Sequence, residues 1–371
     1  MTVVRSVGVE EELLLVDPAT GEPRAVSAAV LALAARDGSE ARDTFERELQ
    51  EQQLEFATHP CTDLRELAAE IVRCRAEAAR HAEKAQATVA ALATSPLPAG
   101  PALGTGERYR WIEEHFGLTA QEQLTCGCHV HVSVGSDEEG VAVLDRIRPW
   151  LAVLLALSAN SPLWQGGDTS YHSYRSRVWG RWPSAGPAEL FGDAGRYHRL
   201  VDDLLATGVL RDEGMVYFDA RLSRNYPTVE VRVADVPLDA STTALVAALA
   251  RGLVETAARE WRDGTPPPDH PVALLRLAAW RAARSGLDDT LVHPVTRRPA
   301  PAGEVLDALL DHVRAALAAD GDLEFVTAGL DELARRGNGA RVQREILRRT
   351  GSLREVVAEC VRRTQDASGT L

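Results

Sequence analysis

The chain has 371 residues, 45% of them hydrophobic and 26% charged, a composition that excludes a disordered or fibrous protein. Its net charge of −13 argues against a broad nucleic-acid or anionic-membrane surface, but not against a nucleotide whose charge metals and a few arginines offset locally. No signal-peptide pattern opens the sequence, the apolar stretch near Trp150–Ala159 is too short to span a bilayer, and five scattered cysteines suggest no disulfide framework, so a reduced, cytoplasmic setting is expected.

In chain order, Val3–Val16 reads as a long strand and DPATGEP as a turn. Within GVEEELLLVD, Glu10 and Glu12 share one face because side chains alternate along a strand, and Glu11 points the other way into a structural role. A second strand lies around Leu54–Thr58. It follows ELQEQQLEFAT, in which Glu48, Glu51 and Glu55 are candidate acids; Glu51 and Glu55 share strand parity, and Glu48 needs a bend to join them. Thr62 and Asp63 open a long helix with Leu64, Leu67, Ala68, Ile71, Val72 and Arg75 at helical spacing. The stretch SPLPAGPALGTG is a loop, and Glu107–Phe116 a short helix.

The segment Thr125–Val134, TCGCHVHVSV, is the most telling. As a strand it sends Val130, Val132 and Val134 to one face and His129, His131 and Ser133 to the other. A polar face on so apolar a strand is costly unless it meets water, a metal or a ligand. Cys126 and Cys128 lack a second nearby pair and make a poor structural zinc site. A helix from about Glu138 to Ala159 follows. Then comes a long aromatic loop, residues 158–187, holding Trp164, Trp179 and Trp182 with Arg175, Arg177 and Arg181. That mixture suits a lid or wall that orders around an anion.

Met215–Leu222 and Thr228–Ala234 read as strands joined by SRNYP. Asp219 and Arg221 share a face on the first. On the second, Glu230 and Arg232 share a face opposite Val229, Val231 and Val233. Asp239 or Ser241 caps an apolar helix ending near Trp261, TPPPDHP breaks the chain, and the rest from about Val272 is mostly helical. The expectation is one domain over residues 1–371, with 272–371 a mostly helical C-terminal portion.

Each cluster has a plain reading and a functional one. Glu10 and Glu12 are either solvated acids or magnesium ligands, since hard divalent cations prefer carboxylate oxygen. His129 and His131 are either satisfied core histidines or a metal ligand beside a phosphate contact. Glu230 and Arg232 are either a surface ion pair or a metal ligand beside a phosphate-binding guanidinium. Neither P-loop nor Rossmann glycine patterns occur, nor G-x-S-x-G, CxxC or HExxH.

The order of an E-x-E strand, a Q-x-E-x-A-T segment, a G-x-H-x-H strand and an E-V-R strand running into an apolar helix resembles glutamine synthetase. It resembles more closely the carboxylate–amine ligases of the type-2 glutamate–cysteine ligase family. The matching pieces are GVEEELLLVD, QLEFATHPC, CGCHVHVSV, the loop 157–187, RLSRNYPTVEVRVADVP and GNGARVQREI, nearly end to end in the chain. The resemblance implies an α+β fold, a curved and mainly antiparallel sheet with an open polar face and helices on its outer face. It implies metal ligation by Glu10, Glu12, Glu55, His129 and Glu230, with Glu48 a further candidate, and contacts to ATP phosphates by His131 and Arg232. By residue type, Arg175, Arg177 and Arg181 are assigned to substrate carboxylate or phosphate. The implied activity joins a carboxylate, glutamate by its γ-carboxyl, to an amine, cysteine by default, through an acyl phosphate, with Glu230 and Arg232 at the reacting groups and release of ADP and phosphate. Cofactors would be ATP and Mg2+, with Mn2+ as a substitute; partners are small-molecule amino acid and amine substrates, no nucleic acid, no membrane, and a homo-oligomer is compatible. Two rivals use the same residues: a metal-dependent amidohydrolase and a non-catalytic nucleotide-binding homologue. Cys128 and Ser133 stand where the family usually has Leu and Gly, which bears on the shape of the nucleotide or amine pocket.

Overall fold

The computed structural model describes residues 4–37 and 45–366. Its centre is a seven-stranded antiparallel sheet of β1 (Val7–Val16), β2 (Phe45–Arg47), β3 (Gln53–Ala57), β4 (Thr88–Ala90), β5 (Gly127–Ser133), β8 (Ala220–Leu222) and β9 (Thr228–Asp235), in the order β2-β3-β1-β5-β9-β8, with β4 also on β1. Short hairpins, β6 (Leu163–Trp164) with β7 (Gly167–Asp168) and β10 (Thr290–Val292) with β11 (Pro299–Pro301), lie outside it. One face of the sheet is covered by helices and the other is polar, so the expected α+β architecture is observed.

The strand β1 explains the register. Its second half, Leu13–Val16, is fully buried, while its first half alternates. Glu11 goes to the helical side, where it accepts hydrogen bonds of 2.8 and 2.7 Å from the Arg75 guanidinium. A one-residue slip would bury Glu10 and Glu12 there without partners, so the pairing is strongly specified.

Arg75 belongs to the helix Leu64–Lys84, which starts where the sequence predicts. Asp63 is its N-cap, accepting from the N–H groups of Arg65 and Glu66 at 2.7 and 3.3 Å. The long helix Ala240–Arg262 packs beside it and against β1 and β5. The helices Ala302–Asp320 and Leu323–Arg336 pack on Ala240–Arg262 in turn, and Leu353–Thr364 packs on β4. Buried side chains from Val7 to Cys360 form one continuous apolar cluster. No helix among the described residues is long and apolar enough to cross a membrane.

Three expectations need correction. The helix expected over 138–159 is two helices, Asp137–Ile147 and Leu151–Ser158, joined by a 3-10 turn at Arg148–Trp150; Pro149 cannot donate the helical hydrogen bond there. The strand expected over 215–222 is only Ala220–Leu222, preceded by a 3-10 turn at Glu213–Met215. The stretch after Val272 is mostly helical, as expected, with the short β10–β11 hairpin inserted between its helices. Alternation along β9 fails at Val233. Cys128 pairs with Ala234 but Val130 pairs with Val231, which leaves an extra residue opposite His129. Such a bulge re-aims side chains: Val229 and Val231 are buried, but Val233 is partly exposed.

Candidate active site

The polar face is assembled by register. Opposite neighbours are Glu12 and Glu55 on β1 and β3, Glu10 and His129 on β1 and β5, His131 and Glu230 on β5 and β9, and Arg221 and Glu230 on β8 and β9. These residues line one cavity of about 340 Å³, together with Glu46, Glu48, Arg232 and the 223–226 turn. The metal-type residues named from sequence, Glu10, Glu12, Glu48, Glu55, His129 and Glu230, therefore share one cavity with His131 and Arg232.

Glu10 is central. One of its oxygens lies 3.2 Å from Nδ1 of His129 and the other 3.2 Å from Nε2 of His131. Ligand atoms of Glu10, Glu55 and His129 fall within 4.8 Å of one another, as do those of Glu10, His131 and Glu230. His129 leaves Nε2 buried and without a hydrogen bond. Glu230 accepts from Arg221 at 2.7 and 3.2 Å, and from Arg232. Glu12 accepts from the N–H of Gly127 at 2.6 Å and from Gln53 at 3.5 Å.

Electrostatics sort the carboxylates into two kinds. Burial and then the charge of Glu48 push Glu12 up to about 7, and burial with Glu48 and Glu10 pushes Glu55 well above the usual range. Burial alone would raise Glu10 as well, but its bonds to His129 and His131 outweigh that and hold it far down. Glu230 is likewise held down, against burial, by Arg232 and Arg221. Burial, then Arg232, lowers His129 to about 4, so its imidazole is neutral near neutral pH and able to ligate. Crowded carboxylates that repel one another, beside a neutral imidazole with a free ring nitrogen, are a donor set suited to a hard divalent cation.

Three assignments from sequence land elsewhere. Arg175, Arg177 and Arg181 do not line this cavity but a neighbouring one of about 550 Å³. Arg175 is buried, packs where a Cβ on Gly127 would stand, and lies 4.0 Å from Asp235. Arg181 pairs with Glu122. Glu51, weighed on strand parity, instead accepts from Ser27 Oγ and the Ala28 N–H. Cys128 is buried beside Glu11 and Arg75 on the helical side and Ser133 Oγ accepts from the Ser6 N–H, so the exchange at Cys128 lies on the far side of the sheet from the cavity.

The two cavities share a wall of Arg232, Trp179 and Trp182. The Arg232 guanidinium lies over the rings of Trp179 and Tyr217, 5.8 and 5.9 Å from their centroids. The loop carrying Trp179 is fixed from below. The Asp235 carboxylate accepts from the Asn160 N–H at 2.8 Å, Ser161 Oγ at 2.7 Å and Ser173 Oγ at 2.8 Å. Gln343 holds the Asn160 amide at 2.7 Å, and a Cβ on Gly339 would overlap that amide. The loop 158–187 is thus a built wall with a hairpin and the short helix Arg175–Trp179.

Sequence reasoning gave no role to Glu46, Gln53, Arg108, Tyr109, Tyr217 or Arg221. Arg221 was the most accessible, since it shares a face with Asp219 on a strand next to Glu230. Glu46 sits on a three-residue strand too short for any periodic signal.

The polar face of this antiparallel sheet gathers acids, imidazoles and guanidinium groups in one cavity. The model of glutamate–cysteine ligase family 2 matches residues 6–359, and the chain belongs to that family of ATP-dependent carboxylate–amine ligases. It is 69% identical over 364 residues, 98% of this chain and 100% of the relative, to "Putative glutamate--cysteine ligase 2" of Streptomyces coelicolor. A Paenarthrobacter aurescens relative, "Putative glutamate--cysteine ligase 2-1", is 48% identical over 98% of this chain and 96% of its own length. Among solved structures, the glutamate–cysteine ligase of Francisella tularensis in complex with AMP superposes with a TM-score of 0.70 at 14% identity, covering 98% of this chain and 89% of that one. A bifunctional glutathione synthetase from Pasteurella multocida superposes with a TM-score of 0.68 at 15% identity over 97% of this chain and 52% of that one.

Proposed function

We propose that this protein joins the γ-carboxyl of glutamate to an amine, with cysteine the default, by way of an acyl phosphate formed from ATP. The observation that carries this reading is the convergence of two ligand triads that share Glu10, Glu10–Glu55–His129 and Glu10–His131–Glu230, on one sheet face beside two guanidinium groups. Glu10, Glu12, Glu48, Glu55, His129 and Glu230 would hold Mg2+, or Mn2+ in its place. The metal would supply charge neutralisation between two anions that otherwise repel, the acid substrate and the γ-phosphate.

The residues do the rest by alignment. Arg232 stands against Glu230 and faces both cavities, placed to stabilise charge on the phosphoryl group being transferred. His131, whose Nδ1 lies 3.0 Å from Thr228 Oγ1, is positioned to meet a phosphate oxygen. Burial opposes its protonation, but Glu10 outweighs that and raises its pKa, favouring the cationic form that a phosphate would bind. Trp179 and Trp182 on the anchored loop would keep water from the acyl phosphate. Arg177 and Arg175 remain candidates for a substrate carboxylate from the neighbouring cavity. We read the setting as cytoplasmic, where ATP and free amino acids occur and where the five free thiols are stable.

The test is ADP release, screened over amino acids and amines with glutamate, ATP and Mg2+ present. Amine-dependent ADP release is expected, together with a thermal shift for ATP with Mg2+ larger than for either alone. A shift with zinc alone, and none with ATP, would support a metal-dependent hydrolase instead.

A further inference from the structure

The cavity of about 550 Å³ beside the carboxylate site contains an acid that metal binding does not use. Asp219 immediately precedes β8, and its carbonyl accepts the Arg232 N–H at 2.9 Å across to β9. It therefore stands two register positions from the Arg221–Glu230 pair, with Ala220 and Val231 between them. Its side chain lines the neighbouring cavity, with Arg232, Trp179, Arg276 and Trp280. Among the described residues the Asp219 carboxylate has neither a hydrogen bond nor an ion pair, and it is only partly buried.

Its surroundings are unusual for an acid. Arg276 from the helix Val272–Ser285 and Arg175 from the loop act on its charge, and Arg177, Arg181 and Arg232 line the same cavity. Burial nonetheless outweighs Arg276 and Arg175 and pushes the carboxyl up to about 7. An acid with that balance accepts a proton readily near neutral pH.

Amide formation needs such a group. An amine arrives as an ammonium ion, which has no lone pair for attack. In the carboxylate cavity, Glu10 is engaged by two histidines, Glu230 by two arginines and Glu12 by the Gly127 N–H. Asp219 is uncommitted, and it lines a second cavity that adjoins the first at Arg232, Trp179 and Trp182, which line both.

Resting on the ligase reading above, we propose that this second cavity admits the amine substrate and that Asp219 receives its ammonium group and takes its proton. The amine nitrogen then attacks the acyl carbon, the C–N bond forms, and the C–O bond to phosphate breaks with its electron pair leaving on phosphate. The second nitrogen proton departs with the phosphate, and Asp219 returns its own proton to solvent. The exposed guanidinium of Arg276 on the rim suits an amine that carries a carboxylate of its own.

Hydroxylamine provides the test, because it is largely unprotonated at neutral pH and needs no base before attack. With glutamate, ATP and Mg2+ present, Asp219→Asn is expected to lower kcat/KM for cysteine about 100-fold or more, while hydroxamate formation from hydroxylamine stays within a few-fold of wild type. Asp219→Glu should recover part of the cysteine activity. Loss of both activities together, in a variant with an unchanged melting temperature, would assign Asp219 to phosphoryl transfer or to structure and overturn the proposal. Unchanged cysteine activity would overturn it as well. A wild-type enzyme that releases no ADP with either nucleophile would instead sink the ligase reading, and this one with it.

Discussion

Glu11 and Arg75 form a bidentate ion pair, at 2.8 and 2.7 Å, on the helical side of the strand whose Glu10 and Glu12 face the cavity. Both side chains are fully buried. Arg75 also donates to the carbonyls of Leu238 and Pro237, at the entrance to the helix Ala240–Arg262. One pair thus ties the central strand, the helix Leu64–Lys84 and the segment after β9 together. Removing one partner leaves a buried charge uncompensated. Arg75→Ala is expected to lower stability by about 3–5 kcal/mol in urea unfolding. A loss below about 1 kcal/mol would mean that water or another cation reaches Glu11.

The Glu230 carboxylate is oriented by Arg221 as well as Arg232. If Glu230 binds the metal, Arg221 fixes the angle at which it does so. Arg221→Ala is expected to weaken Mn2+ binding about 10–100-fold, the usual cost of losing a group that orients a ligand, measured by calorimetric titration. Glu230→Gln should abolish amine-dependent ADP release with the melting temperature retained. Full activity in Glu230→Gln would remove this residue from the metal site.

Arg232→Ala is expected to cost at least ~2 kcal/mol of transition-state stabilisation, in the range of a single electrostatic donor. Steady-state kinetics at saturating ATP reads this directly. A loss under about tenfold would make Arg232 a structural partner of Glu230 and Trp179.

The Asp235 carboxylate holds the loop 158–187 through three hydrogen bonds. Asp235→Ala would strand the Asn160 N–H and two serine hydroxyls, each at about 1–3 kcal/mol. The loop should then become a site of limited proteolysis, and acyl phosphate should be lost to water, seen as ADP release without amide product. Gly339→Ala should act in the same direction from the far side, through overlap with Asn160. An intact, protease-resistant loop in Asp235→Ala would show that the tryptophans pack it without the anchor.

His312 stacks on Trp150 at 4.4 Å between centroids, and burial lowers its pKa from 6.5. The unfolded chain therefore binds a proton below 6.5 that the folded chain resists. This contribution to stability is present above 6.5 and fades as pH falls below it. His312→Phe should flatten the acid side of the stability curve, followed by unfolding midpoints across that range. An unchanged slope would place the acid sensitivity on other groups.

Much of this arrangement was legible in the chain because it rests on local periodicity. Alternation along VGVEEELLLV and CGCHVHVSV put Glu10 with Glu12 and His129 with His131, and sent Glu11 the other way. The N-cap at Asp63 and the helix Glu107–Phe116 follow from residue type alone. Less was legible where a side chain's role depends on a neighbour far away in sequence. Arg175 reads as a substrate residue by composition, yet it packs against Gly127 and near Asp235.

The sequence by itself determined which faces its strands would show and which chemistries they would carry, because side-chain direction in a strand depends only on parity. The tertiary structure alone decided which of those faces meet. Glu55 reaches Glu12, Glu230 reaches His131, and Asp219 is left lining the adjoining cavity, through hydrogen-bond register between strands up to about a hundred residues apart. That register is set by buried apolar surface and by a bulge opposite His129, which no local pattern encodes.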